Sequence, residues 1–207
     1  MAGEFADLLR TVAGNMTAVA GSTYPQTIGN AVDLILEAFG SGRKLLVFGN
    51  GGSSADAQHF TAEFVGRFVA ERKALPAIAL TTNQAILTAW SNDYSFDDIF
   101  ARQIEALGMS GDVAFGISTS GKSLNVVNAL ARARDRGLKT IGLTGAGGGA
   151  MAPLCDVLLA VPLTETARIQ EVHLVTYHAI CAAVEGRIGP AATHTSRSSP
   201  FTPSSTS

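Results

Sequence analysis

The sequence predicts an α/β protein built on a parallel sheet with helices covering both faces. Three observations carry this. From Lys44 onward, short apolar runs alternate with longer stretches of helical spacing, the pattern of buried strands joined by crossover helices. Glycine is abundant, 22 of 207 residues, and gathers directly after the apolar runs, where strand-to-helix loops turn. Hydrophobic residues make up 46% and charged residues only 15%, which suits a buried sheet better than a solvated bundle.

The elements follow in order. Phe5, Leu8, Leu9 and Val12, then Ile28, Val32, Ile35, Leu36 and Phe39, recur at helical spacing. Residues 1–40 therefore read as two helices, separated around Gly21-Ser22 and Pro25 and closed by Gly40 to Gly42. The expected strands are Lys44–Gly49, Ala77–Thr81, Asp112–Ser118, Lys139–Thr144 and Val157–Val161. Helical segments are expected at Ser53–Val69, Gln84–Ser91, Phe96–Leu107, Ser123–Arg136 and Ala150–Leu154, with a last helix at Thr166–Arg187. Residues 1–188 are expected to form a single domain, while the Ser/Thr/Pro-rich stretch 189–207 lacks the apolar surface to fold and is expected to be disordered.

A formal net charge of −2 offers no basic face for sequence-independent nucleic-acid binding. No stretch approaches the ~20 apolar residues that span a bilayer, and the start, MAGEFADLLR, carries acids instead of an apolar signal core. Cys155 and Cys181 stand outside any CxxC or Cys/His cluster and read as small core residues of a reducing compartment. A cytoplasmic protein without nucleic-acid or membrane partners is expected.

Gly116 to Ser123 reads GISTSGKS, a letter-for-letter match to GxxxxGK[ST] between a strand and a helix. Three features oppose a nucleotide reading. No later strand ends in an acid to hold magnesium; the loop follows the third strand; and Ser118, Thr119, Ser120 and Ser123 make it hydroxyl-rich. Hydroxyls and backbone N–H groups at a helix N-terminus suit a phosphate monoester without metal. Ser123 is also placed to cap the helix it precedes. The other glycine loop, Gly49-Asn50-Gly51-Gly52-Ser53-Ser54, puts serine at the third glycine of a dinucleotide fingerprint, and the next strand ends without a carboxylate. It suits a phosphate or sugar oxygens better than NAD.

The helix after this loop places His59 and Glu63 four residues apart, about 40° around its axis. On the last helix, Gln170 and His178 each lie about 40° from Leu174, on opposite sides, and can converge over one spot. Glu171 and His178, about 20° apart, offer another pairing, and His173 faces elsewhere.

Together the segments GNGGSSADAQHFTAEFVGRF, SNDYSFDDIF, GDVAFGISTSGKS, TGAGGGAMA and RIQEVHLVTYH resemble the phosphoheptose isomerases of the SIS (sugar isomerase) fold over about Leu45 to Glu185. The resemblance implies a three-layer αβα sandwich with a five-stranded parallel sheet, flavodoxin- or Rossmann-like. It also implies a homotetramer with sites at subunit boundaries. It implies that Ser118, Thr119, Ser120 and Ser123 hold the phosphate of a sugar-phosphate substrate. Asn50, Gly51, Gly52, Ser53, Asn92, Asp93 and Gln170 would contact the substrate, with Glu63 and His178 as the acid–base pair. In zinc-bearing members the residues matching His59, Glu63, Gln170 and His178 are metal ligands, one zinc per subunit. The implied activity is conversion of sedoheptulose 7-phosphate to D-glycero-D-manno-heptose 7-phosphate through an enediol. Two departures stand out: the family loop usually reads GNS where this chain has Gly121-Lys122-Ser123, and an acid found in some members before RIQ is replaced by Thr166-Ala167. The rival is a non-catalytic SIS protein associated with the bacterial replication initiator, which ERKALPAIAL also resembles. That homologue lacks the histidine corresponding to His178.

Overall fold

The computed structural model describes residues 2–189; the Ser/Thr/Pro-rich tail, apart from Gly189, lies outside the described residues. Five strands, β1 (Leu45–Gly49), β2 (Ala77–Ala79), β3 (Val113–Ser118), β4 (Lys139–Thr144) and β5 (Val157–Ala160), form one parallel sheet in the order β2-β1-β3-β4-β5. The helices are α1 (Ala2–Ala20), α2 (Tyr24–Gly40), α3 (Gly52–Val65), α4 (Gln84–Asp93), α5 (Ile99–Leu107), α6 (Leu124–Asp135) and α7 (Thr166–Ile188).

Side chains on successive strand residues point to opposite faces, so an apolar run feeds two cores at once. Leu45 and Val47 join Val32, Ile35, Phe60, Phe64, Tyr177 and Ile180 on the face covered by α2, α3 and α7. Leu46 and Phe48 join Ile99, Phe100, Ile104, Val126 and Leu130 on the face covered by α5 and α6. The expected three-layer sandwich is the observed one. The strand order reverses between β1 and β3, and open parallel sheets bind ligands at such a switch point, beyond the carboxyl ends of the strands.

Local differences from the expected elements have physical causes. Pro25 sits inside the first turn of α2, where its missing N–H costs nothing. Phe96–Leu107 divides into a 3₁₀ turn at Phe96–Asp98 and α5, and Gly149–Leu154 is 3₁₀ with Pro153 inside it. The largest difference is α3, which stops at Val65 instead of Val69. The carboxylate of Glu185 on α7 accepts from the backbone N–H groups of Phe68 (3.0 Å), Val69 (2.8 Å) and Ala70 (2.6 Å), bending them away from a helix. Arg72 completes the clamp, donating to the carbonyls of Phe64 at 2.8 Å and Glu63 at 2.5 Å. Its Nε lies 3.2 Å from Glu185 Oε2, close enough for an ion pair but off hydrogen-bond angle.

Candidate active site

The two glycine loops leave β1 and β3 side by side, in the paired register Gly49↔Ile117. Asn50 and Asn125 tie them together through reciprocal amide bonds of 2.8 and 2.9 Å. Asn125 was not expected; at sequence level it is one polar residue in the first turn of a helix, with nothing to mark its partner. Gly51 has φ 55°, a conformation that favours glycine, and starts α3 with no side-chain cap. At Gly52 a Cβ would collide with Gln170 Nε2, so glycine here lets α7 lay Gln170 against the loop. Ser53 is buried beneath it.

Ser118, the last residue of β3, pairs its hydroxyl with Ser123 Oγ at 3.0 Å. Ser123 occupies the N-cap position of α6, yet its side chain makes no cap bond. The expected capping role is therefore not what this hydroxyl does: it turns back into the loop, and backbone carbonyl bonds close the first helical turn. Ser120 Oγ accepts from the Lys122 amide at 3.2 Å, and the Thr119 carbonyl accepts from Gly145 at 2.9 Å. Gly121, at φ 64°, packs so tightly on Gly148 and Gly149 of the TGAGGG segment that any Cβ would clash. The loop is thus fixed from behind, with Ser120 and the Lys122 side chain on the exposed side.

α3 and α7 form a second wall. His59 Nε2 lies 3.0 Å from Glu63 Oε1. The His59 and His178 rings meet edge to face at 5.1 Å. One ligand atom each from His59, Glu63 and His178 fall within 4.8 Å of one another. His178 Nε2 is buried and has no hydrogen-bond partner among the described residues. Burial, reinforced by the neighbouring His59 and only partly opposed by Glu63, holds the His178 pKa below its ordinary value. The ring is accordingly neutral near pH 7.

Other expected residues fall differently. Glu171 does not pair with His178; it lies 2.9 Å from Arg168 Nη2, one turn earlier on α7. His173 faces away, as expected, and is fully buried, with no hydrogen bond to either ring nitrogen among the described residues. Asn92 donates to Asp93 at 2.8 Å, and both stand exposed at the end of α4.

The structure thus holds a hydroxyl-rich loop at the switch point of a parallel sheet and an imidazole–carboxylate cluster shared by α3 and α7. Comparison with known proteins identifies the family. The SIS domain family matches residues 11–145. A phosphoheptose isomerase of Synechocystis sp. is 57% identical over 166 residues, covering 80% of this chain and 86% of its own. One from Bradyrhizobium sp. is 52% identical over 181 residues, covering 87% and 91%. The chain belongs to the phosphoheptose isomerases of the SIS domain family. Among solved structures, the phosphoheptose isomerase of Neisseria gonorrhoeae superposes with a TM-score of 0.82 at 42% identity, over 88% of this chain and 97% of that one. The chain is an isomerase.

Proposed function

We propose that this enzyme converts sedoheptulose 7-phosphate to D-glycero-D-manno-heptose 7-phosphate by proton transfer through an enediol. The observation that carries the proposal is the convergence of Glu63 with His178 in a chain that also holds the hydroxyl-rich Ser118–Ser123 loop. The hydroxyls of Ser118, Thr119, Ser120 and Ser123 and the first amides of α6 hold the phosphate. Asn50, Gly51, Gly52, Ser53, Asn92, Asp93 and Gln170 contact the sugar chain. Glu63 removes a proton from C1 while His178 gives one to the oxygen on C2, forming the enediol. Return of a proton to C2, with loss of the proton on the C1 oxygen, completes the aldose. A neutral imidazole is competent for the oxygen step, donating its N–H to the developing oxyanion.

The same wall fits a zinc ion, one per subunit. Two imidazoles and a carboxylate are a zinc donor set, and Gln170 lies against the adjoining loop. His59, Glu63, Gln170 and His178 would hold it, and when bound it supplies Lewis-acid polarisation of the sugar carbonyl. Zinc would compete with the acid–base roles for Glu63 and His178, because a nitrogen bound to zinc cannot donate a proton. Exposed apolar residues support a homotetramer: Phe5, Leu8 and Leu9 on α1, and Leu174 and Val175 on α7. Leu174 lies between Gln170 and His178 on the helix, so a subunit covering it borders the site, as expected for sites at subunit boundaries. A cytoplasmic location fits; no described helix is long and apolar enough to cross a membrane. The non-catalytic alternative leaves the Glu63/His178 convergence without a purpose.

Incubation with sedoheptulose 7-phosphate, with and without chelator, should yield an aldose phosphate detectable by NMR. No aldose in either condition would overturn the proposal. Glu63→Gln should lower kcat by about 10²–10⁴ with the fold intact, and near-normal turnover would sink the base assignment.

A further inference from the structure

Thr144, the last residue of β4, is wholly buried, and its Oγ1 has no hydrogen-bond partner among the described residues. A buried hydroxyl left unpartnered is destabilising and calls for an explanation. Its place in the sheet supplies one. β3 and β4 pair in parallel, with Ser118 and Thr144 in register. Ile117 and Leu143 join the core under α2, α3 and α7. On the other face, a Cβ at Gly116 would meet Val126 and Leu130, and one at Gly142 would meet Met151. Side chains alternate along a strand, so Ser118 and Thr144, each two residues beyond one of these glycines, share that second face. Adjacent strands run about 4.8 Å apart, which makes Thr144 the neighbour of Ser118 in the strand beneath the loop.

Each hydroxyl has one proton to give and can accept in return. Without ligand, the hydroxyls of Ser118 and Ser123 lie 3.0 Å apart, and one donates to the other. The oxygens of a phosphate dianion only accept. When Ser118 and Ser123 both turn their protons to phosphate, neither can donate to the other, and the Ser118 oxygen is left free to accept. Thr144 is the hydroxyl beside it with a proton that nothing else receives. Rotation about single bonds suffices for the exchange, so the backbone of the loop stays where Gly121 wedges it. A proton donated to Ser118 also polarises its O–H, which strengthens the bond it makes to phosphate. The empty loop thus satisfies itself, while the strand beneath keeps a spare donor for the occupied state.

We propose that Thr144 is a positioning residue of the phosphate cradle, its hydroxyl donating to Ser118 Oγ once Ser118 gives its own proton to bound phosphate. The inference rests on the reading of the Ser118–Ser123 loop as that cradle.

Thr144→Val keeps the shape of the side chain and removes the hydroxyl, whereas Thr144→Ser keeps the hydroxyl. Calorimetric titration of the full chain with inorganic phosphate should give an affinity about fivefold weaker for Thr144→Val, the worth of one hydrogen bond. Thr144→Ser should bind close to the wild-type value. With sedoheptulose 7-phosphate the loss should fall on KM and not on kcat. Unliganded Thr144→Val should unfold at the wild-type denaturant midpoint or above it, because in that state the hydroxyl has no partner to lose. Ser118→Ala tests the coupling: once the receiving oxygen is gone, adding Thr144→Val should cost no further phosphate affinity. Three results would each overturn the proposal: equal phosphate affinity in Thr144→Val and wild type, a lower unliganded midpoint in Thr144→Val, or losses that add in the double variant. Failure of the cradle reading looks different, since the wild type itself would then take up no phosphate and the inference would fall with it.

Discussion

The two walls of the proposed site are built on opposite principles. The loop wall satisfies itself: Ser118 meets Ser123, Ser120 meets its own backbone, and Gly121 is wedged against Gly148. The helical wall is braced by the Arg72–Glu185 clamp, which holds the Glu63 carbonyl, and leaves His178 Nε2 without a partner among the described residues. A self-contained wall suits a ligand that only needs to be held. A wall with orphaned groups, kept in place by remote packing, suits chemistry, because orphaned donors and acceptors acquire partners only when substrate or metal arrives.

Breaking the clamp should have the largest effect. Glu185→Ala leaves the Arg72 guanidinium buried without its carboxylate and three backbone N–H groups without an acceptor. Removing one partner of a buried pair costs about 3–5 kcal/mol, which denaturant unfolding would register as a lower midpoint. Turnover should fall too, since Arg72 also holds the Glu63 carbonyl. Burial alone would raise the Glu185 pKa, but the three amides and Arg72 together outweigh it and hold it below its ordinary value. Its contribution is therefore present above the unfolded pKa and lost as pH falls through the folded one, below about pH 4. Glu185→Gln should remove that acid-side loss, and an unchanged acid profile would show the clamp to be decorative.

His173 tests the seam between the walls. It lies on α7 close to Thr144, which pairs in register with Ser118. Burial pushes its pKa down to about 4, the Thr144 backbone opposing this only weakly. A folded pKa below the unfolded value of about 6.5 means the unfolded chain binds the proton first. Stability should therefore be full above about pH 6.5 and decline as pH falls toward 4, by roughly 3 kcal/mol over the window. His173→Gln should flatten this stretch of the pH–stability curve. A wild-type curve already flat between pH 4 and 6.5 would contradict the burial argument.

What the sequence revealed follows the same division. The central strands β1, β3 and β4 announced themselves because both of their faces are buried, and the loop after β3 because its hydroxyls are close together in the chain. His59 and Glu63 were legible as one face of one helix. The clamp was not, because Phe68 and Glu185 are 117 residues apart and nothing local marks a carboxylate as a receptor for three amides. For the same reason α3 was expected to run four residues too far, since helical spacing continues to Val69 while its hydrogen bonds go elsewhere. Nothing in the sequence marks Tyr177, and its contacts with His59 and Asp56, more than 100 positions earlier, come only from the fold.

The smallest effects belong to the loop wall. Ser123→Ala removes a hydroxyl from the cradle and from its bond to Ser118. One neutral hydrogen bond is worth about 1 kcal/mol, so KM should rise roughly fivefold while kcat changes little. Lys122→Ala should do less. The side chain is exposed, and its charge meets a phosphate through water and salt, where attraction is weak and screened over about 8–10 Å. A rise in KM of about twofold at low ionic strength, fading in 1 M salt, is expected, with kcat unchanged. A P-loop lysine would behave otherwise: its loss would abolish magnesium-dependent nucleotide binding. Detecting such binding in the wild type and losing it in Lys122→Ala would show that the letter match carries function. The hydroxyls around Lys122 argue that the match is incidental, because a loop that holds a phosphate through serines and amides has no need of a lysine reaching in from solvent.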